Sequence, residues 1–251
     1  MRFYDLDIDV KNYAKRIVDA GYKCPADINS VSDFVKGLKI LNLWGDGIFW
    51  FLRSTQNAGL DTTVYSLSNL GIYDGTLIHT VTWSPVGITF PQLNSTNGMT
   101  TNLTFTRLDP KTYGCCAKAE GNVTVPSLIG QFLAAQTALQ IPSAVGTGNI
   151  TDYNGVSNST YLTSRSFSNF ALVQMSHDTS TTANSSFNNN FEQRTILNTN
   201  YTHKFELCRA QRNFQGIISF AFYFNKTMTQ TQQANFYSLY KSTAGKGLGL
   251  P

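Results

Sequence analysis

The sequence predicts a mainly β protein, an antiparallel β-sandwich of the jelly-roll kind with a short helical segment at each end. From Ile48 onward, short runs of β-branched and aromatic residues are separated by turns rich in Gly, Asn and Asp. Regular short strands without long helices between them indicate a sandwich or jelly roll. Many runs also alternate Thr with apolar residues, which is typical of strands with one face in water.

The composition fits a folded domain whose surface carries amides and hydroxyls rather than ions. Charged residues make up 14% of the chain, against roughly 25% in an ordinary soluble domain. The chain holds 22 Asn, 29 Thr and 21 Ser residues. An aromatic content of 13% and a net charge of only +4 exclude disorder for the bulk of the chain.

Residues 1–46 are predicted to form a helical leader or anchor. One apolar stripe stops at Gly21, and a second follows the Cys24-Pro25 break with Asn29 or Ser30 as its helix cap. Two short helices cannot bury such stripes alone, so they must pack on the following domain, on each other or on a neighbouring chain. The stripes are Val10, Tyr13, Ala14, Ile17 and Val18, then Val31, Phe34, Val35, Leu38 and Leu41.

Residues 47–240 are predicted to form the sandwich, and any helix in its middle is expected near residues 134–139. After the last strand comes a Thr-capped helix. Residues 241–251 form a Gly-rich tail, flexible or docked, because their Gly-x-Gly-x-Gly spacing lacks the strand and helix that flank a phosphate-binding loop. The predicted strands are 48–53, 76–79, 87–90, 103–107, 170–175, 191–197, 203–209 and 217–224.

Charge and hydropathy argue against nucleic acid and membrane as partners. The basic residues after Gly47 are scattered singly, whereas phosphate binding needs clustered Lys and Arg. No segment reaches the ~18 to 20 apolar residues of a membrane span, and the acidic N-terminus does not fit a secretory signal. The four cysteines lack metal-binding spacing, so buried free thiols are favoured over a disulfide. They are Cys24, Cys115, Cys116 and Cys208.

Two stretches resemble the concanavalin A-like, laminin-G-type jelly roll. Residues 49–90 contain an opening strand, a turn, an Asp-Gly-x-Leu strand and a Trp-x-x-x-Gly-x-x-Phe strand. Residues 217–240 contain a strand, an Asn-Lys-x-Met turn and a terminal helix similar to the family's ending. Domains of this type often hold a calcium ion through Asp and carbonyl oxygens. The resemblance therefore makes Asp61 and Asp74 candidate calcium ligands, with a role in surface turns as the alternative, and it implies no other cofactor.

The leader at residues 10–43 and the terminal Gly-Leu-Gly-Leu-Pro make the chain similar to phage proteins that display such a domain on the virion. This resemblance implies a virion location, with assembly in the host cytoplasm. It also implies other virion subunits as partners in a homo-oligomer, and a host surface glycan as a ligand. Each apolar leader side chain buried between subunits would contribute ~1.5 to 3 kcal/mol, which could stabilise an oligomer.

The sequence lacks the residue patterns of common hydrolases. Glycosidases of this sandwich class place paired carboxylates on one strand, but Glu120, Glu192 and Glu206 each have no second carboxylate within four positions. The Gly-x-Ser-x-Gly motif of Ser hydrolases is also absent. The chain is therefore predicted not to be an enzyme and to hold no catalytic residues.

A sugar site needs aromatic faces and groups that bind hydroxyls. Trp44, Trp50 and Trp83 could stack on a sugar, although the resemblance places Trp50 and Trp83 in the core. Loop residues are therefore the better candidate ligands, and they are Tyr153, Asn154, Asn188, Asn189 and Asn190.

The sequence thus predicts a non-enzymatic virion structural protein that displays a lectin-like sandwich. Its role would be recognition of a host glycan or service as a capsid or tail building block. A cellular carbohydrate-binding adhesin module is the alternative, and a divergent glycoside hydrolase is a further one.

Overall fold

The described part of the chain forms three helices and seventeen strands. The computed structural model describes residues 5–68, 71–78, 81–91, 97–106, 109–121, 127–131, 136–140, 148–153, 158–178, 181–196, 202–208 and 214–251. The helices are α1 (Ile8–Asp19), α2 (Ile28–Ile40) and α3 (Gln230–Ser242). The strands are β1 (Gly47–Phe51), β2 (Thr63–Val64), β3 (Ser66–Leu67), β4 (Gly75–Ile78), β5 (Thr82–Ser84), β6 (Gly87–Phe90), β7 (Gly98–Thr106), β8 (Lys111–Ala119), β9 (Ser127–Gln131), β10 (Gln136–Gln140), β11 (Gly148–Tyr153), β12 (Asn158–Arg165), β13 (Ala171–His177), β14 (Thr182–Phe187), β15 (Asn190–Thr195), β16 (Thr202–Leu207) and β17 (Gly216–Phe224).

Two antiparallel sheets pack face to face. Sheet A has nine strands in the order β15-β14-β13-β8-β17-β1-β3, with β6 also paired to β17 and β5 to β6. Sheet B has eight strands in the order β12-β11-β10-β9-β16-β7-β4-β2. Between the sheets lies one apolar core, in which the ring of Trp50 stacks on Phe205 at 4.7 Å. The predicted antiparallel β-sandwich with helices near its two ends is therefore confirmed.

The three helices cover the outer face of sheet A and create a second apolar core. Phe34 of α2 is fully buried there, and its ring meets five others edge-on at 5.7 to 6.1 Å between centroids. Edge-to-face contacts of this kind add to the free energy of apolar burial. The five rings come from two strands of the sheet and from α3, and they are Phe49, Phe51, Phe220, Phe236 and Tyr240.

Polar contacts fix the leader on this face. The guanidinium of Arg16 in α1 binds both carboxylate oxygens of Asp74, at 2.6 and 2.7 Å. The buried hydroxyl of Tyr13 donates to the carbonyl of Gln56 at 2.8 Å. At the other terminus, the side chain of Gln56 donates to the carbonyl of Ala244 at 2.8 Å, so the tail is docked rather than loose.

The helical stripes of the leader are thus largely buried on the chain's own sandwich, which was one of the three outcomes that the sequence left open. Val18 is the exception, because its side chain is 48% exposed and does not belong to the buried stripe of α1. The apolar leader surface no longer needs a neighbouring subunit to cover it, although Ile8 and Ile40 stay exposed, at 62% and 80%. The division into leader, sandwich and tail and the role of the leader as an anchor stay predictions.

Two local predictions are wrong. Of the helical segment predicted near residues 134–139, residues 136–139 form part of strand β10, not a helix, because this strand pairs with both β9 and β11. Residues 134 and 135 lie outside the described residues. Helix α2 begins at Ile28 after Asp27, so neither Asn29 nor Ser30 caps it. Asp27 makes no side-chain bond to the helix, because its carboxylate accepts a hydrogen bond from Gln56 at 2.9 Å instead.

All four cysteines are free thiols, as favoured from the sequence, and three of them are buried. Burial raises the pKa of Cys115, Cys116 and Cys208, which keeps these thiols protonated at neutral pH. Among the described residues, no helix has the length and apolar character that crossing a bilayer requires.

Replacing Phe34 with Ala tests the second core. We expect Phe34→Ala to lower the free energy of unfolding by about 3–5 kcal/mol, because a fully buried aromatic ring leaves a cavity. Ile40→Ala on the same helix is the control, with a change within about 0.5 kcal/mol, because its side chain is exposed. Urea denaturation measures both. Equal effects of the two variants would show that the leader does not pack on sheet A.

Candidate functional site

A cavity of about 310 Å³ opens at one end of the sandwich, between the ends of both sheets. Its floor is apolar and comes from Ile48 of β1 and Leu103 of β7. Its walls combine two tyrosines with small polar residues from four segments. The wall residues are Gly45, Asp46, Tyr73, Thr104, Tyr223 and Asn225.

The fold places these residues through backbone and ring contacts. Ile48 and Tyr223 are register partners on adjacent strands, and the amide of Asn225 donates to the carbonyl of Asp46 at 3.0 Å. The carbonyl of Tyr73 accepts the indole N–H of Trp50 at 2.7 Å. The cavity is therefore built on the ends of core strands, which are rigid supports for a site.

The turn that carries Tyr73 depends on a glycine. Gly71 has a φ of +91°, which favours glycine, and a Cβ there would lie 2.7 Å from the guanidinium of Arg16. The same turn ends at Asp74, which binds that guanidinium. The leader helix α1 thus fixes the position of one wall of the cavity.

Four polar side chains of the cavity make no hydrogen bond within the described part of the chain. Thr104 and Asn225 are exposed, Tyr73 is partly exposed, and Tyr223 is buried, at 5% exposure. Such uncommitted hydroxyls and amides above an apolar floor match the arrangement of polar ligand sites, where a few polar groups orient a ligand that packs on apolar surface. The four are Tyr73, Thr104, Tyr223 and Asn225.

Two charged groups stand beside them. The carboxylate of Asp46 lines the cavity and pairs with the ammonium of Lys226 at 2.5 Å.

Burial, followed by the charge of Asp109 and the proximity of Tyr73, raises the pKa of Tyr223 from 10.0 to about 12. The Tyr223 hydroxyl is therefore protonated at neutral pH and can donate a hydrogen bond.

The two candidate calcium ligands have partners from the protein itself. Asp74 is held by Arg16 and also accepts the amide and hydroxyl of Ser66, at 2.7 and 2.9 Å. Asp61 accepts the hydroxyl of Tyr22 and the amide of Thr62. Among the described residues, no three His, Cys, Asp or Glu side chains converge as a metal site would require. The calcium role of Asp61 and Asp74 stays a prediction.

The candidate sugar ligands from the sequence lie at two places. Tyr153 ends β11, but its side chain and Asn154 lie outside the described residues. Asn188 and Asn189 form the turn between β14 and β15, and Asn190 begins β15. Asn188 is 7% exposed and its amide oxygen accepts the backbone N–H of Leu172 at 2.9 Å, while Asn189 and Asn190 are exposed.

The β14–β15 turn, which carries the second group, lies where β13 begins, because Phe187 pairs with Val173.

The tryptophans have structural roles. Trp50 is fully buried, and Trp83 packs against the core with its indole N–H donating to the carbonyl of Asp61 at 2.9 Å. Trp44 stacks on Phe49 at 5.8 Å, and the ammonium of Lys39 lies 5.6 Å from its ring. The three tryptophans therefore do not line this cavity, and its aromatic side chains are those of Tyr73 and Tyr223.

Each of the three glutamates stands on a different segment. Glu192 on β15 binds Arg165 and Arg194, each at 2.7 Å. Burial alone would raise the pKa of Glu192, but hydrogen bonds from Arg194 and Thr163 and the charge of Arg165 lower it below its usual range. A carboxyl held ionised in this way is a poor general acid.

None of the wall residues of the cavity was predicted from the sequence. Tyr73 and Asp46 lie in turns, and Thr104, Tyr223 and Asn225 belong to strands or strand ends that look like any others in this chain. The sequence did give one signal, the resemblance of two stretches to the jelly-roll family, because Tyr73 belongs to one stretch and Tyr223 and Asn225 belong to the other. Only the strand register shows that these stretches meet at one cavity.

Two other cavities involve the leader. One, of about 140 Å³, lies between α1 and β3, and its Arg16, Tyr13 and Ser66 are already bonded within the chain. The other, of about 360 Å³, lies against α2. There Lys36 donates to the carbonyl of Asp5 at 2.7 Å. Both fit packing of the leader better than ligand binding.

Comparison with solved structures supports the fold. A sialidase of Trypanosoma rangeli matches with a TM-score of 0.56 at 10% identity, over 86% of this chain and 39% of that chain. The same sialidase in complex with sialic acid matches with a TM-score of 0.55 at 9% identity, over 77% and 33%. A chain named HCR/D-Sa-GBL1/C matches with a TM-score of 0.56 at 11% identity, over 77% and 52%. No protein-family model and no curated protein matches the sequence.

At these identities the likeness shows the fold alone, and the chain spans 39% of the sialidase's length in the first match. The comparison nevertheless corrects one prediction. The chain was predicted not to be an enzyme, and this is contradicted because chains that share the fold include sialidases. The lack of paired carboxylates in the sequence is therefore no ground for excluding catalysis.

The variant Asp74→Asn tests whether the carboxylate of Asp74 serves to bind the guanidinium of Arg16 or to bind calcium. We expect the variant to lower the free energy of unfolding by about 1.5–3 kcal/mol, because a half-buried, charged pair of hydrogen bonds to Arg16 is lost. We also expect added calcium to leave the melting temperature of the unmodified protein unchanged. Denaturation curves with and without calcium measure both.

Asp19→Asn is the matched control, because its pair with Lys15 is exposed at 59% and 71%. It should change stability by less than about 0.5 kcal/mol. A calcium-dependent rise in melting temperature that disappears in Asp74→Asn would instead establish Asp74 as a calcium ligand.

The raised pKa of Tyr223 predicts a loss of stability at high pH. Between pH 10 and about 12 the unfolded chain ionises this phenol while the folded chain keeps it neutral, so ionisation favours unfolding. The contribution of the Tyr223 phenol to the free energy of unfolding is fully present below pH 10 and falls as the pH rises above 10. Titration of wild type and Tyr223→Phe by the absorbance of phenolate measures the difference. A Tyr223 phenol that ionises near pH 10 would contradict the buried placement.

Proposed function

We propose that the protein binds a carbohydrate in the cavity between β1, β7 and β17. The observation that carries the proposal is the set of four uncommitted polar side chains above the apolar floor. A pyranose presents an apolar face and a rim of hydroxyls. The floor and the tyrosine rings would contact its apolar face, while hydroxyl and amide groups would bind its rim.

The fold neighbours support this assignment in part. One matched structure is a sialidase in complex with sialic acid, so sugar binding occurs in a chain that shares this fold. The contact residues proposed here come from this chain alone: Tyr73, Tyr223, Thr104 and Asn225 would donate or accept hydrogen bonds, and Asp46 would accept them.

We further propose that the domain is displayed on a phage virion, where it recognises a host glycan or forms part of the capsid or tail. This proposal rests on the sequence resemblance of the leader and terminus. Because the leader stripes are buried on the sandwich, contacts with other subunits would use exposed groups such as Ile8 and Ile40. Mass spectrometry of purified particles tests the location, and light scattering of the full chain tests the oligomer.

Binding to a glycan array, followed by calorimetry on the glycan that binds, tests the cavity. We expect Asn225→Ala and Tyr73→Ala to weaken binding about tenfold each, since each removes contacts worth about 1 kcal/mol or slightly more. The folded state of both variants should persist, because Asn225 is exposed and Tyr73, although it packs on the edge of the core, is only partly buried.

Asn189→Ala is the control, because Asn189 is an exposed sequence-based candidate at the opposite end of the sandwich. It should bind as the wild type does. Loss of binding in Asn189→Ala with normal binding in Asn225→Ala would place the site at the β14–β15 turn instead. Release of free sugar from the bound glycan, lost in the cavity variants, would show that the cavity is an active site.

A further inference from the structure

Three polar side chains lie fully buried under the first turn of α3. Gln174 of β13 and Ser186 of β14 are register partners, so their side chains are neighbours on one face of sheet A. Gln233 of α3 lies over them, because the side-chain amide of Gln174 donates to its backbone carbonyl at 3.0 Å. All three residues are 0% exposed. Polar groups at this depth are normally hydrogen-bonded, so each polar atom of the cluster needs a partner.

The two side-chain amides of the cluster have one possible orientation. The amide nitrogen of Gln174 donates to the carbonyl of Gln233, and the amide nitrogen of Gln233 donates to the carbonyl of Asn184 at 2.9 Å. A carbonyl only accepts hydrogen bonds, so a nitrogen and not an oxygen must face each of these two carbonyls. The oxygen Oε1 of each glutamine is therefore left as an acceptor inside the protein.

Three polar atoms of the cluster have no partner among the described residues, namely Oε1 of Gln174, Oε1 of Gln233 and the hydroxyl of Ser186. Leaving a buried polar group without a hydrogen bond costs free energy. The Ser186 hydroxyl lies next to both glutamines but does not reach either oxygen at hydrogen-bonding distance. A small polar molecule between the three atoms would satisfy all of them together.

We propose that one internal water molecule binds between α3 and sheet A at this place. Its two O–H groups donate to Oε1 of Gln174 and to Oε1 of Gln233, and its oxygen accepts the hydroxyl of Ser186. Each of the three atoms then has a partner, and three hydrogen bonds are the usual number for a buried water. A metal cation fits less well, because the three groups are neutral and supply no carboxylate.

The water adds to a row of polar contacts that fix α3 on the sheet. Immediately before the helix, the amide of Met228 donates to the buried hydroxyls of Ser176 and Thr112, at 2.8 and 2.9 Å. The water continues this attachment to Ser186 on the neighbouring strand β14. The site shares no residue with the proposed sugar cavity, so it does not depend on carbohydrate binding.

A crystal structure of the full chain, at a resolution that shows ordered water, tests the site directly. We expect one water oxygen within about 3.2 Å of the three polar atoms of Gln174, Gln233 and Ser186. Direct hydrogen bonds among the three side chains with no water between them would overturn the proposal. A bound atom about 2.4 Å from six or more oxygens would also overturn it, because these are the features of a cation such as calcium.

The variant Ser186→Ala tests the bridge in solution. We expect its melting temperature to fall by about 2–4 °C, because the water loses one of its three hydrogen bonds. Ser185→Ala is the matched control. The hydroxyl of Ser185 is also buried without a partner in the described part of the chain, but it faces the core between the sheets, as its neighbour Phe187 does.

Removing the Ser185 hydroxyl should leave the melting temperature unchanged or raise it, since an unsatisfied buried group is lost. Without a bridging water, Ser186→Ala would behave in the same way. A melting temperature of Ser186→Ala equal to or above that of the wild type would therefore contradict the proposal. The crystal structure of the wild type decides the matter if Ser186→Ala does not fold.

Discussion

The structure depends on a β-sheet that is apolar on both faces. All nine residues of β17 are buried, with Ala221 and Tyr223 facing sheet B and Phe220, Phe222 and Phe224 facing the helices. A sheet of this kind needs a cover on each side, since exposed apolar surface is costly and prone to association. Sheet B supplies one cover, and the leader helices, α3 and the docked tail supply the other.

This double cover decides where a ligand can bind. The outer face of sheet A is closed by helices, and the core between the sheets is filled by rings such as Trp50 and Phe205. What remains accessible is the outer face of sheet B and the ends of the sandwich. The cavity lies at one end, and α1 supports it indirectly, because Arg16 binds the turn that carries Tyr73 and Asp74.

Sequence patterns predicted several of the helices and strands, although not strands such as β8, and they did not predict how these elements pack together. The stripe that includes Phe34 predicted a helix correctly, and the β-rich run at residues 217–224 predicted the central strand. Neither pattern indicates that Phe34 meets Phe220, because such contacts depend on the register of strands far apart in the chain. The cavity escaped prediction for the same reason. Asn188 was predicted to lie in an exposed loop because the sequence around it is rich in Asn. In the structure its side chain accepts a hydrogen bond from the backbone of Leu172.

Native-state hydrogen exchange on the full chain tests the central claim most directly, namely that helices and sandwich form one cooperative unit around sheet A. We expect the slowest amides of α1 and α2 to exchange only through global unfolding, with the same opening free energy as those of β17. Exchange of both leader helices at a much lower free energy, with β17 still protected, would contradict it. The leader would then be an independent segment, and sheet A would be stable without its outer cover.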